Sequence, residues 1–305
     1  MRTRLSKPAM TALAIAGVAL LVNGCDAQVQ ATPLDVPQAT FAAPSVPSAP
    51  ITTVPQAPAA AFDGLDTRAR QATADGARSG AKMTVAVLDR TTGQLIASNA
   101  NQSFPTASVV KLFIADDLLL QESKGETKLT AADHQLLDIM LRSSDDSAAQ
   151  QFWDRSGGNA IISRIVARYG LTGTIAPYNG HWDVTQTTAN DMVRYYAKLL
   201  DGSGGLPAAQ AEVIMSDLAQ STPTGTDGYP QRFGIPEGLY AETVAVKQGW
   251  FCCWSGPNQL HVSTGVIGAD RRYVMVISSL DPTSAASARD DITQAVKTMF
   301  PGGHI

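Results

Sequence analysis

The sequence predicts an α+β fold in which a five-stranded antiparallel sheet is flanked by terminal helices and interrupted by an inserted all-helical domain. Apolar strand-like runs lie on either side of residue 90 and again after residue 241, whereas residues 129–200 show helical spacing. Two or three strands make a poor sheet alone, so the strands from both halves must join. The strands follow one another through short turns, which predicts antiparallel pairing.

The first half of the folded region predicts a helix, a hairpin and a block of helices. Helical spacing covers 63–79, and the turn "DRTTG" joins two apolar runs within 82–101. Pro105 ends the extended chain just before the apolar helix "SVVKLFIADDLLLQES". Thr130, and either Thr187 or Thr188, are expected to cap later helices, because a hydroxyl accepts an otherwise unpaired helix N–H.

The second half predicts one more helix, "PAAQAEVIMSDLAQ", and then a return to strands. The strands are "ETVAVKQGW", "QLHVSTGVIGA" and "RRYVMVISSL", and the helix "SAASARDDITQAVKTMF" closes the chain. We therefore expect a sheet part over about 62–105 and 235–305, and a helical part over about 106–234.

The N-terminus predicts export. A basic start, "MRTRLSK", precedes the short apolar run "AMTALAIAGVALLV" and then "NGC". We interpret 1–24 as a lipoprotein signal peptide and Cys25 as the lipidated residue, and the alternative is an ordinary secretory signal cut a few residues later. Residues 25–61 predict a lipid anchor and an extended Pro- and Ala-rich tether. The expected location is the extracytoplasmic face of the cell membrane.

Charge and cysteine content exclude some function classes. Removing 1–24 takes away three basic residues and no acid, so the formal net charge falls from −4 to −7. Such an acidic domain is poorly suited to nucleic acid, whose phosphates need basic patches. Cys252 and Cys253 are adjacent and are either a vicinal disulfide or two free thiols. The four histidines are scattered, so we predict no metal site and no cofactor.

A serine and a lysine three residues apart suggest nucleophilic catalysis. Ser108 and Lys111 fall on one face at the start of a helix, where the dipole favours developing negative charge. A buried lysine can lose its proton and act as a base towards the hydroxyl. The alternative is that Ser108 only caps the helix and Lys111 is solvated.

Two later segments strengthen the catalytic interpretation. "SSDD" contains Ser144 and Asp146 between two helical runs, and "VKQG" contains Lys247 and Gly249 on a strand. S-x-x-K, S-D-N and K-T-G are the motifs of class A β-lactamases and penicillin-binding proteins, and here S-x-x-K, S-D-D and K-Q-G occur in the matching order. The chain resembles that superfamily over about residues 62–303. With its anchor and Ala-rich composition it is similar to the alanine-rich mycobacterial-type lipoproteins of the superfamily.

The resemblance implies a role for each motif residue. Ser108 would attack the carbonyl of a β-lactam or an acyl-D-Ala-D-Ala peptide, and Lys111 would accept its proton. Ser144 would relay a proton to the leaving nitrogen. Lys247 would hold the substrate carboxylate. The backbone N–H groups of Ser108 and Trp250 would form the oxyanion hole.

Other residues at these motifs are expected to contact substrate. Gly249 would let substrate lie close along the edge strand. Asp146 stands where the family has Asn, and an ionised carboxylate cannot donate the hydrogen bond that the Asn amide gives to substrate. Asp146 could instead keep Lys111 charged, or it could merely order its loop. Gln248 replaces a hydroxyl residue that helps bind the substrate carboxylate, although a regular strand should point its side chain elsewhere.

One expected residue is missing. Class A β-lactamases carry a loop glutamate that activates the deacylating water, and "GLTGTIAPYNGHWDVTQT" contains none. His181 and Asp183 are the titratable substitutes, and both are equally plausible as ordinary loop residues. Trp250 and Trp254 could stack on substrate or simply pack at the cleft edge.

Two functions remain open at this point. The first is a lipid-anchored serine hydrolase or penicillin-binding acyltransferase with slow deacylation, acting on a β-lactam or a peptidoglycan stem peptide. The second is a catalytically degenerate relative that binds a cell-envelope ligand or protein. In both, we expect a monomer that meets the membrane only through its lipid.

Overall fold

The computed structural model describes residues 62–305. Predictions for the signal peptide, Cys25 and the tether lie outside these residues. Among the residues described, no helix combines the length and apolar character needed to cross a bilayer.

The main sheet contains five strands, which in chain order are β1 (Lys82–Asp89), β2 (Leu95–Ser98), β5 (Val244–Trp254), β6 (Asn258–Ile267) and β7 (Tyr273–Asp281). They pair in antiparallel fashion in the order β2-β1-β7-β6-β5, which confirms the predicted fold class. The N-terminal hairpin pairs with the last strand of the chain through β1 and β7. Strand β5 is therefore left at an edge of the sheet, with its other side available to the helical part.

A second, two-stranded sheet joins two loops at the front of the molecule. Its strands are β3 (Phe104–Pro105) and β4 (Gln186–Thr187), and they pair in antiparallel fashion. This pairing ties the segment just before Ser108 to the loop that lacks a glutamate.

The helices divide between the two faces of the main sheet. On the rear face, α1 (Leu65–Arg78) and α9 (Ala285–Met299) pack against each other and cover an apolar cluster that includes Met275 and Ile292. On the front lie α2 (Lys111–Ser123), α3 (Ala131–Arg142), α4 (Asp146–Arg155), α5 (Asn159–Tyr169), α6 (Ala189–Asp201) and α7 (Ala208–Ala219), and the short α8 (Ile235–Gly238) leads into β5. Nearly all of α2 is buried among the front helices, which makes it the centre of the helical part.

Capping agrees with the sequence prediction. The Thr130 hydroxyl accepts the backbone N–H of Asp133, whose carboxylate accepts the N–H of Thr130 in return, so α3 begins with a complete capping box. Of the two candidates for α6, Thr188 is the cap, and it accepts the N–H of Asp191.

Candidate active site

Ser108 is fixed at the base of a cleft by a strained turn. It lies in the 3₁₀ turn Ala107–Val110 immediately before α2. Ala107 has a φ of 46°, in the left-handed region that costs a non-glycine residue about 1–3 kcal/mol. The preceding Thr106 donates its backbone N–H to the carbonyl of Thr185 at 2.8 Å. The loop across the cleft thus holds the serine turn in position.

Lys111 connects the first motif to the second. Its side chain is fully buried, and Nζ donates to Ser108 Oγ at 2.9 Å, to the Ser144 carbonyl at 2.6 Å and to Asp146 Oδ1 at 2.6 Å. An ammonium has three donors, so these contacts use all of them. Burial lowers the pKa of Lys111, and the Asp146 carboxylate opposes that shift.

Ser144 occupies a second strained turn, between α3 and α4. Its φ is 58°, and the next residue, Asp145, caps α4 by accepting the N–H of Ala148 at 2.7 Å. The Ser144 hydroxyl receives a short hydrogen bond from Lys247 Nζ. Ser144 therefore contacts both lysines, one through its carbonyl and one through its hydroxyl.

Lys247 is the second buried lysine of the cluster. It extends from β5 and is 1% exposed. Burial is the main reason that the pKa of Lys247 falls well below the ordinary lysine value, and the nearby charge of Lys111 lowers it further. The structure thus brings together Ser108, Lys111, Ser144 and Lys247.

The cleft above this cluster encloses about 220 Å³. Its lining consists of Ala107, Ser108, Asp146, Trp182, Asp183, Asp227, Trp250 and Phe251. Asp183 belongs to the 3₁₀ turn Trp182–Val184 and is the carboxylate that the glutamate-free loop contributes. His181 is exposed and is not part of the lining.

Two residues predicted to contact substrate, Gln248 and Gly249, do not line the cleft. Gln248 is 1% exposed, and its amide donates to the carbonyls of Gln231 and Phe233 at 3.0 and 2.6 Å, so the side chain lies away from the cleft. Strand alternation explains this, because Gln248 follows Lys247 by one residue. Gly249 is buried, and a Cβ there would lie 2.6 Å from the Thr106 carbonyl. Its lack of a side chain admits the serine turn, and contact with substrate stays a prediction.

The aromatic segment after the third motif is mainly packed. The Trp250 ring stacks on Tyr229 at 5.1 Å and also borders the cleft, while Trp254 packs edge-on against Phe251 at 6.2 Å. Cys252 and Cys253 are exposed and paired as a vicinal disulfide at the far end of β5.

Asp227 was missed by the sequence reasoning. Its carboxylate lines the cleft, where it accepts the Tyr229 backbone N–H at 2.9 Å and the Trp250 indole N–H at 3.1 Å. The only local signal was the dipeptide Asp-Gly, which predicts a turn and no function. Within 62–305, no group of three or more His, Cys, Asp or Glu side chains is arranged to hold a metal ion.

The sequence was compared with protein-family models and with known proteins. The sequence model of the β-lactamase enzyme family matches residues 67–133 and 132–300, most of the chain. The chain belongs to the β-lactamase enzyme family. Within this family it is 53% identical to lipoprotein LppW of Mycobacterium tuberculosis and of Mycobacterium bovis, over 98% of this chain and 99% of theirs.

Several solved structures share the fold of this chain at low sequence identity. A β-lactamase from Chitinophaga pinensis has a TM-score of 0.64 and 16% identity, covering 78% of this chain and all of its own. A class A β-lactamase from Mycobacterium abscessus has a TM-score of 0.60 and 19% identity, covering 78% and 98%. A PBP-A mutant in its acyl-enzyme complex with penicillin G has a TM-score of 0.64 and 16% identity, covering 79% and 96%.

Proposed function

We propose that this protein is a lipid-anchored serine enzyme that takes an acyl group from an amide onto Ser108 and releases it slowly. The observation that carries the proposal is the 2.9 Å contact between Ser108 Oγ and the buried amine of Lys111. A nucleophile within hydrogen-bond reach of a base is the arrangement that activates a hydroxyl.

Lys111 is the proposed base. As a neutral amine it takes the Ser108 proton while Oγ forms a bond to the carbonyl carbon. Burial supports this role because it lowers the pKa of Lys111. The Asp146 carboxylate works against it by favouring the ammonium, so acylation is expected to be slower than with the asparagine of the family.

Ser144 and Lys247 are proposed to serve the leaving group. When the C–N bond breaks, the Ser144 hydroxyl passes its proton to the nitrogen and takes one from the Lys247 ammonium, while the proton taken from Ser108 stays on Lys111. The hydrogen bond from Lys247 to the Ser144 hydroxyl supports such a relay, and the Ser144 carbonyl holds Lys111 in place. The backbone N–H groups of Ser108 and Trp250 are the proposed donors to the carbonyl oxygen in the tetrahedral intermediate.

Slow release follows from the loop between Gly170 and Thr187. It has no glutamate to activate water, and Asp183 is its only carboxylate on the cleft. A long-lived acyl-enzyme is typical of a penicillin-binding protein rather than an efficient β-lactamase. The substrates we propose are β-lactams and D-Ala-D-Ala type amides of the peptidoglycan stem peptide, and the acylated PBP-A structure with the same fold supports this class.

Lipid attachment at Cys25 is the second part of the proposal. The lipoprotein name of the 53% identical relatives and the basic, apolar N-terminus support it. We expect the protein at the extracytoplasmic face of the cell membrane. Fractionation of cells that express the parent or Cys25→Ala tests this. The parent should sediment with membranes, and the variant should lose both sedimentation and incorporation of a labelled fatty acid.

Intact mass after incubation with benzylpenicillin tests the chemistry. We expect the parent chain to gain the mass of one penicillin and to keep it for many minutes, while Ser108→Ala gains nothing. Ser163→Ala removes a hydroxyl on the exposed side of α5 and is the matched control, which should label like the parent.

Two outcomes would change the proposal. If neither the parent nor the control is labelled and no penicillin is consumed, acyl transfer is rejected and Ser108 is a structural residue. If penicillin is consumed without a lasting adduct, slow release is wrong. Loss of turnover in Asp183→Asn would then identify the group that activates water.

A further inference from the structure

The rim of the cleft is acidic. Three of its lining side chains are the carboxylates of Asp146, Asp183 and Asp227, and the lining contains no lysine or arginine side chain within the described part of the chain. Lys111 and Lys247 lie beneath the rim at 0% and 1% exposure. A ligand that enters the cleft therefore meets negative charge first.

Asp227 is held rigidly at this rim. Its two carboxylate oxygens each accept one N–H, from the backbone of Tyr229 and from the indole of Trp250, while the residue stays exposed to solvent. Two neutral donors orient a carboxylate without cancelling its charge. Asp227 also raises the pKa of both Lys111 and Lys247, although burial keeps both below the ordinary lysine value.

The Arg289 guanidinium behind this wall is engaged by an aromatic ring. Arg289 lies over the Tyr229 ring at 4.9 Å, and Tyr229 in turn stacks on Trp250. Two aromatic layers therefore separate that cation from the cleft. Asp146 is partly neutralised by Lys111, which leaves Asp183 and Asp227 as carboxylates whose side chains have no cation bonded to them in the described residues.

Aromatic rings complete the wall. Trp182, Trp250 and Phe251 line the cleft, and Lys111 Nζ already sits 4.9 Å from the Trp182 ring centroid. Ring faces attract cations and are indifferent or repulsive towards anions. Beside these rings the cleft has a volume of about 220 Å³, which accommodates a side-chain-sized group.

We infer that the cleft selects a substrate that carries an ammonium group on the side chain beside the reacting carbonyl, such as a peptide amide with a free amine at the end of a lysine-like side chain. Asp183 and Asp227 hold the ammonium, and the neighbouring rings pack on its methylene groups. A substrate that presents a carboxylate at the same position is disfavoured by like charge. The inference rests on the proposed function for the reacting carbonyl, but the binding preference can be measured without any reaction.

Calorimetric titration of full-length Ser108→Ala measures the preference without chemistry. The probes are Nα-acetyl-lysine methylamide and Nα-acetyl-norleucine methylamide, which differ mainly by the terminal ammonium, and Nα-acetyl-glutamate methylamide as the anion. We expect the lysine probe to bind at least about tenfold more tightly than the norleucine probe, and the glutamate probe to bind most weakly. The difference should shrink as salt is added, because exposed charges are screened.

Two variants assign the preference to the rim. Asp183→Asn and Asp227→Asn, each made in the Ser108→Ala chain, should reduce the lysine-to-norleucine ratio about threefold or more. The asparagine keeps an oxygen acceptor at position 227. Asp290→Asn removes an exposed carboxylate on α9, behind the sheet, and should leave the ratio unchanged.

The possible outcomes separate the two proposals. Equal affinity for the lysine and norleucine probes, or a ratio that neither rim variant lowers, would overturn the cation preference whatever the penicillin experiment gives. A clear lysine preference without any penicillin adduct would reject acyl transfer and leave the cation site standing. If both hold, ampicillin should label the parent faster than benzylpenicillin, because the two differ by an amino group on the acyl side chain.

Discussion

Two buried charged clusters of this molecule are built on opposite principles. In the helical part, Asp116 is fully buried and is bonded by Arg168, Tyr169 and Tyr195, so each charge has a partner. In the cleft, two buried lysines face one carboxylate, and Asp146 is 69% exposed. The first cluster is balanced, whereas the second buries two amines with a single carboxylate bonded to them, and burial lowers the pKa of both lysines.

The difference shows in the backbone as well. Ala107 and Ser144 adopt positive φ beside the lysines, whereas Asp116 lies in the regular helix α2. Strain and unpaired charge together cost stability and are kept only where something else requires them. A charge cluster that stabilises the fold can therefore be distinguished from one with the catalytic role we propose by the change in stability when a charge is removed.

The largest expected effect lies in the balanced cluster. Asp116→Asn should lower the free energy of unfolding by about 3–5 kcal/mol, because Arg168 is left as a largely buried charge without its carboxylate. Urea denaturation measures this. Asp154→Asn is the control, since Asp154 is exposed, accepts only from Gln150 on the same helix and should change stability little. Equal, small effects would contradict the role assigned to Asp116.

His261 adds a third case to the comparison. It is buried without a carboxylate bonded to it, and burial favours the neutral imidazole. It is 1% exposed behind the sheet, with Nε2 bonded to the Tyr229 hydroxyl at 2.7 Å and Nδ1 unpaired. Burial, helped by Arg289 and opposed by Asp281, lowers the pKa of His261 to about 4. The unfolded chain therefore binds the proton first, and stability should fall as pH drops from about 6.5 to about 4.

The loss attributable to this residue is about 3 kcal/mol across that window. Denaturation curves of the parent and of His261→Gln between pH 7 and pH 4 measure it. The slope of stability against pH should be shallower in the variant. Parallel slopes would mean that His261 does not change its charge on unfolding.

Removing a charged group from the cleft cluster should change stability in the opposite direction to Asp116→Asn. Lys247→Met removes a buried amine that has no carboxylate bonded to it, and we expect stability at pH 7 to rise by about 1–2 kcal/mol. Acylation should fall at least about 100-fold in the same variant. The pKa of Lys247 is lowered in the folded state, so below the pKa of a free lysine the unfolded parent binds more protons than the folded parent. The parent therefore becomes more stable as the pH rises, and the stability gain of Lys247→Met should shrink.

Lys128→Met is the control for this substitution, because Lys128 is exposed on the loop before α3. It should change neither stability nor labelling appreciably. A Lys247→Met chain that is less stable than the parent would show that the lysine stabilises the fold and would remove the distinction between the two clusters.

The smallest expected effect is at Asp146. Asp146→Asn removes the carboxylate that favours the Lys111 ammonium, so the pKa of Lys111 falls further and the neutral amine is available at lower pH. The acidic limb of the acylation rate should move about one pH unit downwards. Asp290→Asn should leave the limb unchanged, and an upward shift in Asp146→Asn would show that Asp146 itself accepts the serine proton.

Much of this molecule was predictable from short-range pattern. The five strands, the caps at Thr130 and Thr188 and the four motif residues all depend on spacing within a few residues. For Gln248 the motif position predicts a substrate contact, whereas strand alternation points the side chain elsewhere, and the side chain follows the alternation.

Other features depend on long-range geometry that a single sequence does not contain. Asp227 reaches the cleft because the loop after α7 runs back over Trp250 before β5 begins. Gly249 likewise lacks a side chain where the Thr106 carbonyl approaches it, and Thr106 lies more than 140 positions earlier in the chain. Neither approach leaves a periodic signal, so the acidic rim became visible only in three dimensions.

The separation of the motifs along the chain has a consequence for biosynthesis. Ser144 and Lys247 meet across 103 residues, and Ser108 and Lys111 are synthesised well before either. Chains are made from the N-terminus, and their early segments wait for later ones. Lys247 therefore joins the cluster around Ser108 only when β5 has docked. Under the proposed function, a chain interrupted before that strand, or cut by a protease ahead of it, would not be labelled at Ser108, so labelling would report that synthesis and folding were completed.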